Sequence, residues 1–574
     1  MAPFSTHSSY LAALEDIRSG CIAGPYPAFF RKFFSSDEIP ESPRASVDAT
    51  ESGPRFEENS PPPPPKSLGE KSGWLVTLLK AQQPEDNWIW MPYKITEATL
   101  WMSSGVHIMV PQQRGECDAQ TVGAICHVAD SLETYQAGLV HLYCMANHVF
   151  RTEEMRFFLH GILLCQSSVE FWVFDRSGMY SSPALSLVDD CDQIASNIAS
   201  LRRMTSGELG AEKVFDAVQG TDVLAFRTPN ATLQLLKRPV VARDSLFSDG
   251  LLCYFARKAN ENQWTHIVKF KWRDIHKSKE EDIFHTIEDK SFPGVVRLVY
   301  DTKIVDTAQL RAGVRNEPYR RLLDDGQELD TGSALERYSE RTGDPFRNRT
   351  CMCLVFSPIC QPLSTFRDKV ELLRVLRDVA QTHRALLQDA NVLHRDISIG
   401  NILIDETTRK GILIDFDVAM DLTKETPTGN SISGTQEFRA AGLMNYDPHT
   451  YRHDLEALFY VLLQVIAEAS NNGTLERNSR FHRWSVDDWD KARDARIEDM
   501  ESVNFELLLD EWAEEFGDCK ALARHLRCLL FGDGTDLFFG TDMSIQGTNA
   551  LYDGFIDAFE DAITTVSAAD GGCD

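Results

Sequence analysis

The chain has 574 residues, 43% hydrophobic and 25% charged, which is the composition of a folded globular protein and more length than one core accommodates. Its 58 Lys and Arg stand against 86 Asp and Glu, and the resulting net charge of -28 repels phosphate, which argues against a nucleic-acid or anionic-membrane binder. The 13 Cys are scattered with no C-x-x-C pair, no basic-then-apolar leader opens the chain, and no apolar run reaches membrane-spanning length. Buried free thiols and an intracellular protein, cytoplasmic or nuclear, are expected.

Within residues 1–34, Leu11, Leu14 and Ile17 have helical spacing and predict a short amphipathic helix over 8–34. Residues 35–73 are rich in Pro, Ser and Glu and poor in aliphatics; they read as a disordered linker with a stiff "PPPPP" end. Order returns at Trp74. Over 74–232 the runs "WIWMPYK", "GVHIMV", "RFFLHGILLC" and "VEFWVFDRSG" read as strands, with a hairpin of Gly161–Cys165 and Val169–Phe174. Asp175, Arg176 and Ser177 read as turn chemistry at its end, and "DCDQIASNIASLRRM" as a helix with Ile194, Ile198 and Leu201 inward. A smaller α+β domain is expected there.

Residues 233–356 open with three expected strands, Arg238–Phe247, Leu251–Ala256 and Trp264–Trp272, then the helix "SKEEDIFHTIEDK" with Ile283, Phe284 and Ile287 on one face. The polar stretch 301–348 reads as a mobile surface insert, followed by the strand "CMCLVF", which puts Cys351 and Cys353 on one face. Residues 357–570 are expected to be mostly helical. "FRDKVELLRVLRDVAQTHRALLQ" carries a stripe of Leu373, Leu376, Ala380, His383 and Leu387, "HDLEALFYVLLQVIAEA" is a buried helix, and three more helices follow.

The chemistry concentrates in "NVLHRDISIGNILIDETTRKGILIDFDVAM", Asn391 to Met420. Two short strands, "NILID" and "GILID", bring Asn401 and Asp415 to the same end of a hairpin. Both offer hard oxygen ligands suited to magnesium, and Asp396 is then available to take a proton from an attacking hydroxyl. Phosphoryl transfer needs little more than this and a cation for the α/β-phosphates. "HIVKFKW" puts Lys269 and Lys271 on one strand face, with Glu280 on the next helix able to pair with either.

H-R-D-x-x-x-x-N followed by D-F-x resembles the protein-kinase catalytic core. More closely, "HRDISIGNILI", "ILIDFDVAM", "SGTQEF" and "RHDLEALFYVLL" resemble the fungal-type protein kinase family, and "EFWVFDRSGMYSS" and "MTSGELGAE" resemble the domain that precedes its kinase core. The likeness spans residues 74–470 and implies an α+β chain with a bilobal protein-kinase-like fold that uses ATP and magnesium. It implies Asp396 as base, Asn401 and Asp415 as magnesium ligands, and Lys269 as the phosphate-pairing lysine with Glu280, or else Glu281, as its partner. By the same likeness Arg395 couples the catalytic loop to the activation segment, His394 is a core residue, Asp454 anchors the loop backbone and Ser357–Gln361 is the hinge.

Four positions depart from the pattern. Gly250 alone occupies the place of a three-glycine phosphate loop, Ser398 stands where a substrate-side lysine is usual, Asp417 replaces the glycine of D-F-G, and "AAGLM" replaces A-P-E. The segment between Asp415 and Gly442 holds Thr423, Thr426, Thr428, Ser431, Ser433 and Thr435, which suggests phosphorylation there. Three functions stay open: a kinase acting on Ser/Thr hydroxyls of protein, a small-molecule kinase of the aminoglycoside/choline phosphotransferase type, and a nucleotide-binding scaffold. Arg395 favours the first, since the small-molecule enzymes usually have Gly between His and Asp.

Overall fold

The computed structural model describes residues 135–314 and 347–570 apart from short interruptions, together with 68–81, 86–92, 106–111, 121–129 and small pieces elsewhere. Helices and sheets are mixed in an α+β arrangement. Eight strands form a first sheet: β1 (Ile22–Ala23), β2 (Trp88–Pro92), β3 (Val106–Pro111), β4 (Ala124–Val128), β5 (Phe158–Cys165), β6 (Ser168–Asp175), β7 (Gly178–Ser181) and β8 (Leu185–Ser186). Their order is β1-β7-β6-β5-β4-β3-β2, with β8 on β6. The expected hairpin is β5–β6, with Gly161 opposite Trp172 and Cys165 opposite Ser168.

Large side chains on both faces of these strands require cover on both sides, and alternation sorts them. Ile162, Leu164, Phe171 and Val173 pack with Trp74 and Leu75 of α2 (Leu68–Lys80) and with Ile194, Ile198 and Leu201 of α4 (Cys191–Arg203). Leu159, Leu163, Trp172 and Phe174 face α3 (Tyr135–Thr152), which crosses between the parallel strands β4 and β5. The linker expected to run to residue 73 gives way to helix already at Leu68, because Trp74 and Leu75 are core residues that α2 carries onto the sheet. Residues 35–67 lie outside the described residues, as do Leu11, Leu14 and Ile17; nearby, α1 (Phe29–Phe34) buries Phe29.

The second sheet also has eight strands: β9 (Asp216–Ala217), β10 (Val223–Arg227), β11 (Thr232–Leu236), β12 (Val241–Ala242), β13 (Leu252–Lys258), β14 (His266–Asp274), β15 (Arg297–Asp306) and β16 (Arg349–Ser357). The order is β15-β16-β14-β13-β11-β10-β9, with β12 on β13. It begins at Asp216, ahead of the boundary expected at 232/233. The strand expected over Arg238–Phe247 is reduced to Val241–Ala242. Val268, Phe270, Cys353 and Val355 fill one face, which leaves Lys269 and Lys271 on the other, toward α5 (Glu280–Glu288).

The insert expected from 301 starts later. Asp301–Asp306 complete β15, and Asp306 caps α6 (Thr307–Leu310) by accepting the Gln309 amide at 2.7 Å. Arg311 just beyond is buried and grips Asp175 with two bonds of 2.7 Å. The Asp175–Gly178 turn is the expected Asx turn, with Ser177 N donating to Asp175 Oδ1 at 2.8 Å. It also joins the two sheets, since the Ser177 and Thr307 hydroxyls lie 2.7 Å apart.

Helices dominate the rest. β17 (Cys360–Pro362) leads to α7 (Lys369–Ala390), capped by Asp368 accepting from Glu371 N at 2.8 Å; Leu373, Leu376, Ala380 and His383 are buried. The short hairpin β18 (Ile402–Asp405) and β19 (Gly411–Leu413) pairs Ile402 with Leu413. α8 (Tyr451–Ser470) is buried on all sides through Ala467. α9 (Trp489–Met500) precedes α10 (Ser502–Leu509), α11 (Lys520–Phe531) and α12 (Ile545–Asp570); the helix expected over "ELLLDEWAEEF" is met only in part, since α10 starts earlier and ends at Leu509. Cys351 and Cys353 are buried free thiols. Among the described residues, no helix is long and apolar enough to cross a membrane.

Candidate active site

Lys269 points from β14 into the space between the second sheet and the β18–β19 hairpin. Its ammonium lies 2.7 Å from Glu280 Oε2, 2.9 Å from Asp415 Oδ1 and 3.3 Å from Asp417 Oδ2. Glu280 also accepts the Phe416 amide at 3.3 Å. Glu281, the alternative partner, is taken by Arg273 at 2.6 Å, so α5 is fastened to β14 by two consecutive ion pairs. Lys271 is hydrogen-bonded to Asp417 and lies 3.9 Å from Asp249.

Three carboxylates thus meet two ammonium groups, and the titration shifts follow from that excess. Burial opposes the charge on Lys269, but Glu280, Asp415 and Asp417 outweigh it and hold its pKa well above the ordinary value. Burial, reinforced by Asp417, raises the Glu280 pKa, while the charge and hydrogen bond of Lys269 pull it back down. Asp415 also rises, by burial and then by Asp417 against the pull of Lys269. Partial burial opposes the charge on Asp417, yet Lys269 and Lys271 drive its pKa down. Oxygens of Glu280, Asp415 and Asp417 lie within 4.8 Å of one another. This net-negative set of hard oxygens, with Glu280 buried and the two aspartates half-buried, fits a divalent cation such as magnesium.

The catalytic-loop residues gather beside this network. Asp396 Oδ1 accepts both the Thr435 hydroxyl and the Thr435 amide, each at 2.7 Å. Asn401 Nδ2 donates to Asp396 Oδ2 at 3.0 Å and to its carbonyl at 2.9 Å. The Asn401 carbonyl accepts from Ile414 N at 3.0 Å, which ties the loop to the residue before Asp415. Arg395 and Asp415 hold φ of 69° and 62°, backbone strain that persists only where the surroundings impose it. Here Asp454 does so for Arg395, accepting its amide at 3.0 Å while also accepting from His383 at 2.8 Å and His449 at 2.7 Å. Although Asp454 is buried, His449 and His383 keep its pKa well below the usual carboxylate range. His394 is a core residue, its ring 4.8 Å from that of Phe416 and its Nε2 3.0 Å from the Ile414 carbonyl.

Other expected positions resolve differently. Gly250 faces Arg176: its φ is +53°, and a Cβ there would meet the Arg176 guanidinium at 2.9 Å. Ser398 is buried, and its carbonyl accepts the Asn401 amide at 3.1 Å. Ser357 ends β16 and Cys360 begins β17, so the expected hinge connects the second sheet to the helical region. The tie that A-P-E would supply is made by other residues. Glu456 accepts the Ala441 amide at 2.7 Å, and Arg496 donates to the carbonyls of Arg439 at 2.7 Å and Gln436 at 3.0 Å. Neither residue is legible as a tie in the sequence, because both act on backbone atoms that carry no sequence signal. Thr426 and Thr428 are exposed, and Ser431 lies outside the described residues.

A strand lysine, a helix glutamate, an Asp–Asn loop pair and a following Asp thus converge in one place. The family model described as fungal protein kinase matches residues 102–466, well over half of the chain. The chain belongs to the fungal protein kinase family. No curated protein matches it. Family membership supports a phosphotransferase.

Proposed function

We propose that the chain is an ATP- and magnesium-dependent protein kinase acting on Ser/Thr hydroxyls, with a bilobal core preceded by a smaller α+β domain. The observation that carries this reading is the Lys269 network, in which β14, α5 and the D-F-D segment meet within 3.3 Å of one ammonium. Glu280 orients Lys269 toward the α/β-phosphates of the nucleotide, and Asn401 and Asp415 would hold the metal. Bound magnesium supplies charge neutralisation on the phosphate oxygens.

Asp396 takes the proton. Thr435 already donates twice to Oδ1, and Asn401 donates once to Oδ2, so the remaining lone pair of Oδ2 is the acceptor for an incoming hydroxyl. As that proton leaves, the hydroxyl oxygen bonds to the γ-phosphorus and the bond from this phosphorus to the bridging oxygen of ADP breaks. Asn401 holds the carboxylate in position throughout. Arg395, tied to Asp454, fixes the loop that carries both.

The test is transfer of labelled phosphate from Mg-ATP to a mixed Ser/Thr peptide library and, in parallel, to a panel of amino-alcohols and aminoglycosides. Peptide labelling lost in Asp396→Asn supports the proposal. Labelling of the small alcohols alone would move the chain to the small-molecule class, and Mg-ATP binding without any transfer would make it a scaffold.

A further inference from the structure

The connection from β12 to β13 stands where protein kinases carry a glycine-rich loop, yet here it is bulky. Leu246 in this loop is fully buried, and it is buried in the first sheet's core, among Leu139, Tyr143 and Phe174. Phe247 lies beside it, its ring 5.4 Å from that of Tyr143 on α3. Backbone bonds complete the attachment. Asn147 of α3 accepts the Leu246 amide at 2.8 Å, and Arg176 of the β6–β7 turn donates to the Leu246 carbonyl at 3.2 Å. Arg176 is itself fixed by Phe150 of α3, with its guanidinium 5.0 Å from the ring centre, and Gly250 is packed against that guanidinium.

The other limb of the loop reaches the site. Asp249 accepts from Arg243 at 2.5 Å, its carbonyl accepts the Trp272 amide at 2.7 Å, and its carboxylate lies 3.9 Å from Lys271. One end of the loop is therefore plugged into the first sheet, and the other sits on the strand that carries Lys269.

We propose that the first-sheet domain positions the nucleotide loop of the kinase core, with Leu246 as the plug and Asn147 and Arg176 as positioning residues. Glycine-rich loops approach phosphates because nothing obstructs their backbone. This loop, with Gly250 turned to Arg176, gains its position instead from an outside clamp that removes its freedom before nucleotide arrives, which lowers the ordering cost of binding. The inference rests on the nucleotide-binding reading of the Lys269 site.

The experiment compares the full-length parent with Asn147→Ala, Asn147→Asp and Leu246→Ala. Asn147 is only half-buried on α3, so its alanine variant removes the loop bond with little effect on the core. Hydrogen exchange over 243–251 reports the clamp, calorimetry reports Mg-ATP affinity, and steady-state kinetics separates KM from kcat. In Asn147→Ala the loop should exchange faster and Mg-ATP bind roughly three- to tenfold more weakly, the effect of one lost hydrogen bond. KM should rise while kcat at saturation holds. Asn147→Asp keeps an oxygen acceptor and should match the parent, and Leu246→Ala should exceed Asn147→Ala in both readouts. Unchanged loop exchange in both alanine variants, or faster exchange with unchanged Mg-ATP affinity, overturns the clamp alone. A parent that binds no Mg-ATP overturns the nucleotide reading and the clamp with it.

Discussion

Lys269→Met tests the buried network most directly. The Lys269 side chain is 9% exposed and that of Glu280 3%, so the substitution strands a buried carboxylate that keeps the Phe416 amide at 3.3 Å but loses its cation. Breaking a buried ion pair from one side costs about 3–5 kcal/mol, mostly the penalty of the orphaned charge. Adding Glu280→Gln removes that charge and should recover about 2 kcal/mol, so the double variant is more stable than the single one. Lys271→Met should cost about 1 kcal/mol, because its partner Asp417 keeps Lys269 at 3.3 Å. Urea unfolding at neutral pH gives the ranking, and calorimetry with Mg-ATP should show binding lost in Lys269→Met and little changed in Lys271→Met. If Glu280→Gln adds to the loss instead of offsetting it, or if Lys271→Met is the costlier single change, the charge accounting of the site is wrong.

Asp396→Asn should lower phosphate transfer roughly 10²–10⁴-fold while melting and Mg-ATP binding stay at parent values, and transfer at the parent rate would remove Asp396 as base. Replacing Thr426, Thr428, Ser431 and Ser433 by Ala, with Thr435 spared for its bond to Asp396, should lower activity if the segment is switched by phosphate; parent activity with no phosphate found by mass spectrometry would leave a polar loop only. Burial holds His453 neutral, its pKa pulled down to about 4, whereas in the unfolded chain it protonates near the ordinary 6.5. The unfolded state then binds the extra proton, so stability falls on the order of 3 kcal/mol as pH drops from 6.5 to 4. His453→Gln, which can still serve the Thr450 cap, should flatten that dependence in urea titrations, and an unchanged slope would assign it to other groups.

The catalytic strings were legible because their chemistry is local. Asp396 and Asn401 are five residues apart and meet through one side-chain bond, and Asp415 follows on the strand paired with that of Ile402. Hairpin β5–β6 and helix α4 were legible from period alone. The strand expected over Arg238–Phe247 was not, for a physical reason. Val240 and Val241 are β-branched but exposed, and Leu246 and Phe247 are apolar because they pack into the core of the first sheet rather than alternate along a ladder. The true neighbour, "TLQLL" in β11, is shorter and pairs Leu235 with Ala256 of β13. The packing of Gly250 against Arg176 was not legible for the same reason, since Arg176 is remote in sequence and nothing near Gly250 signals it.

One departure from the kinase pattern, Asp417, comes with its own counter-charge in the structure. Asp417 adds a carboxylate where glycine is usual, and on its own would deepen the negative charge beside the phosphates. Lys271, one pleat beyond Lys269 on the same strand face, bonds that carboxylate and returns the local balance to a single excess negative charge. The pair leaves Lys269 shared between α5 and Asp415, the arrangement phosphate pairing needs, and it adds a direct bond from β14 to the D-F-D segment. With Arg273 holding Glu281 on the same strand, α5, β14 and the D-F-D segment are locked together by charge at three adjacent points. Displacing α5 therefore requires breaking the Lys269–Glu280 and Arg273–Glu281 pairs at once, so this helix is a fixed wall of the site before any ligand is bound.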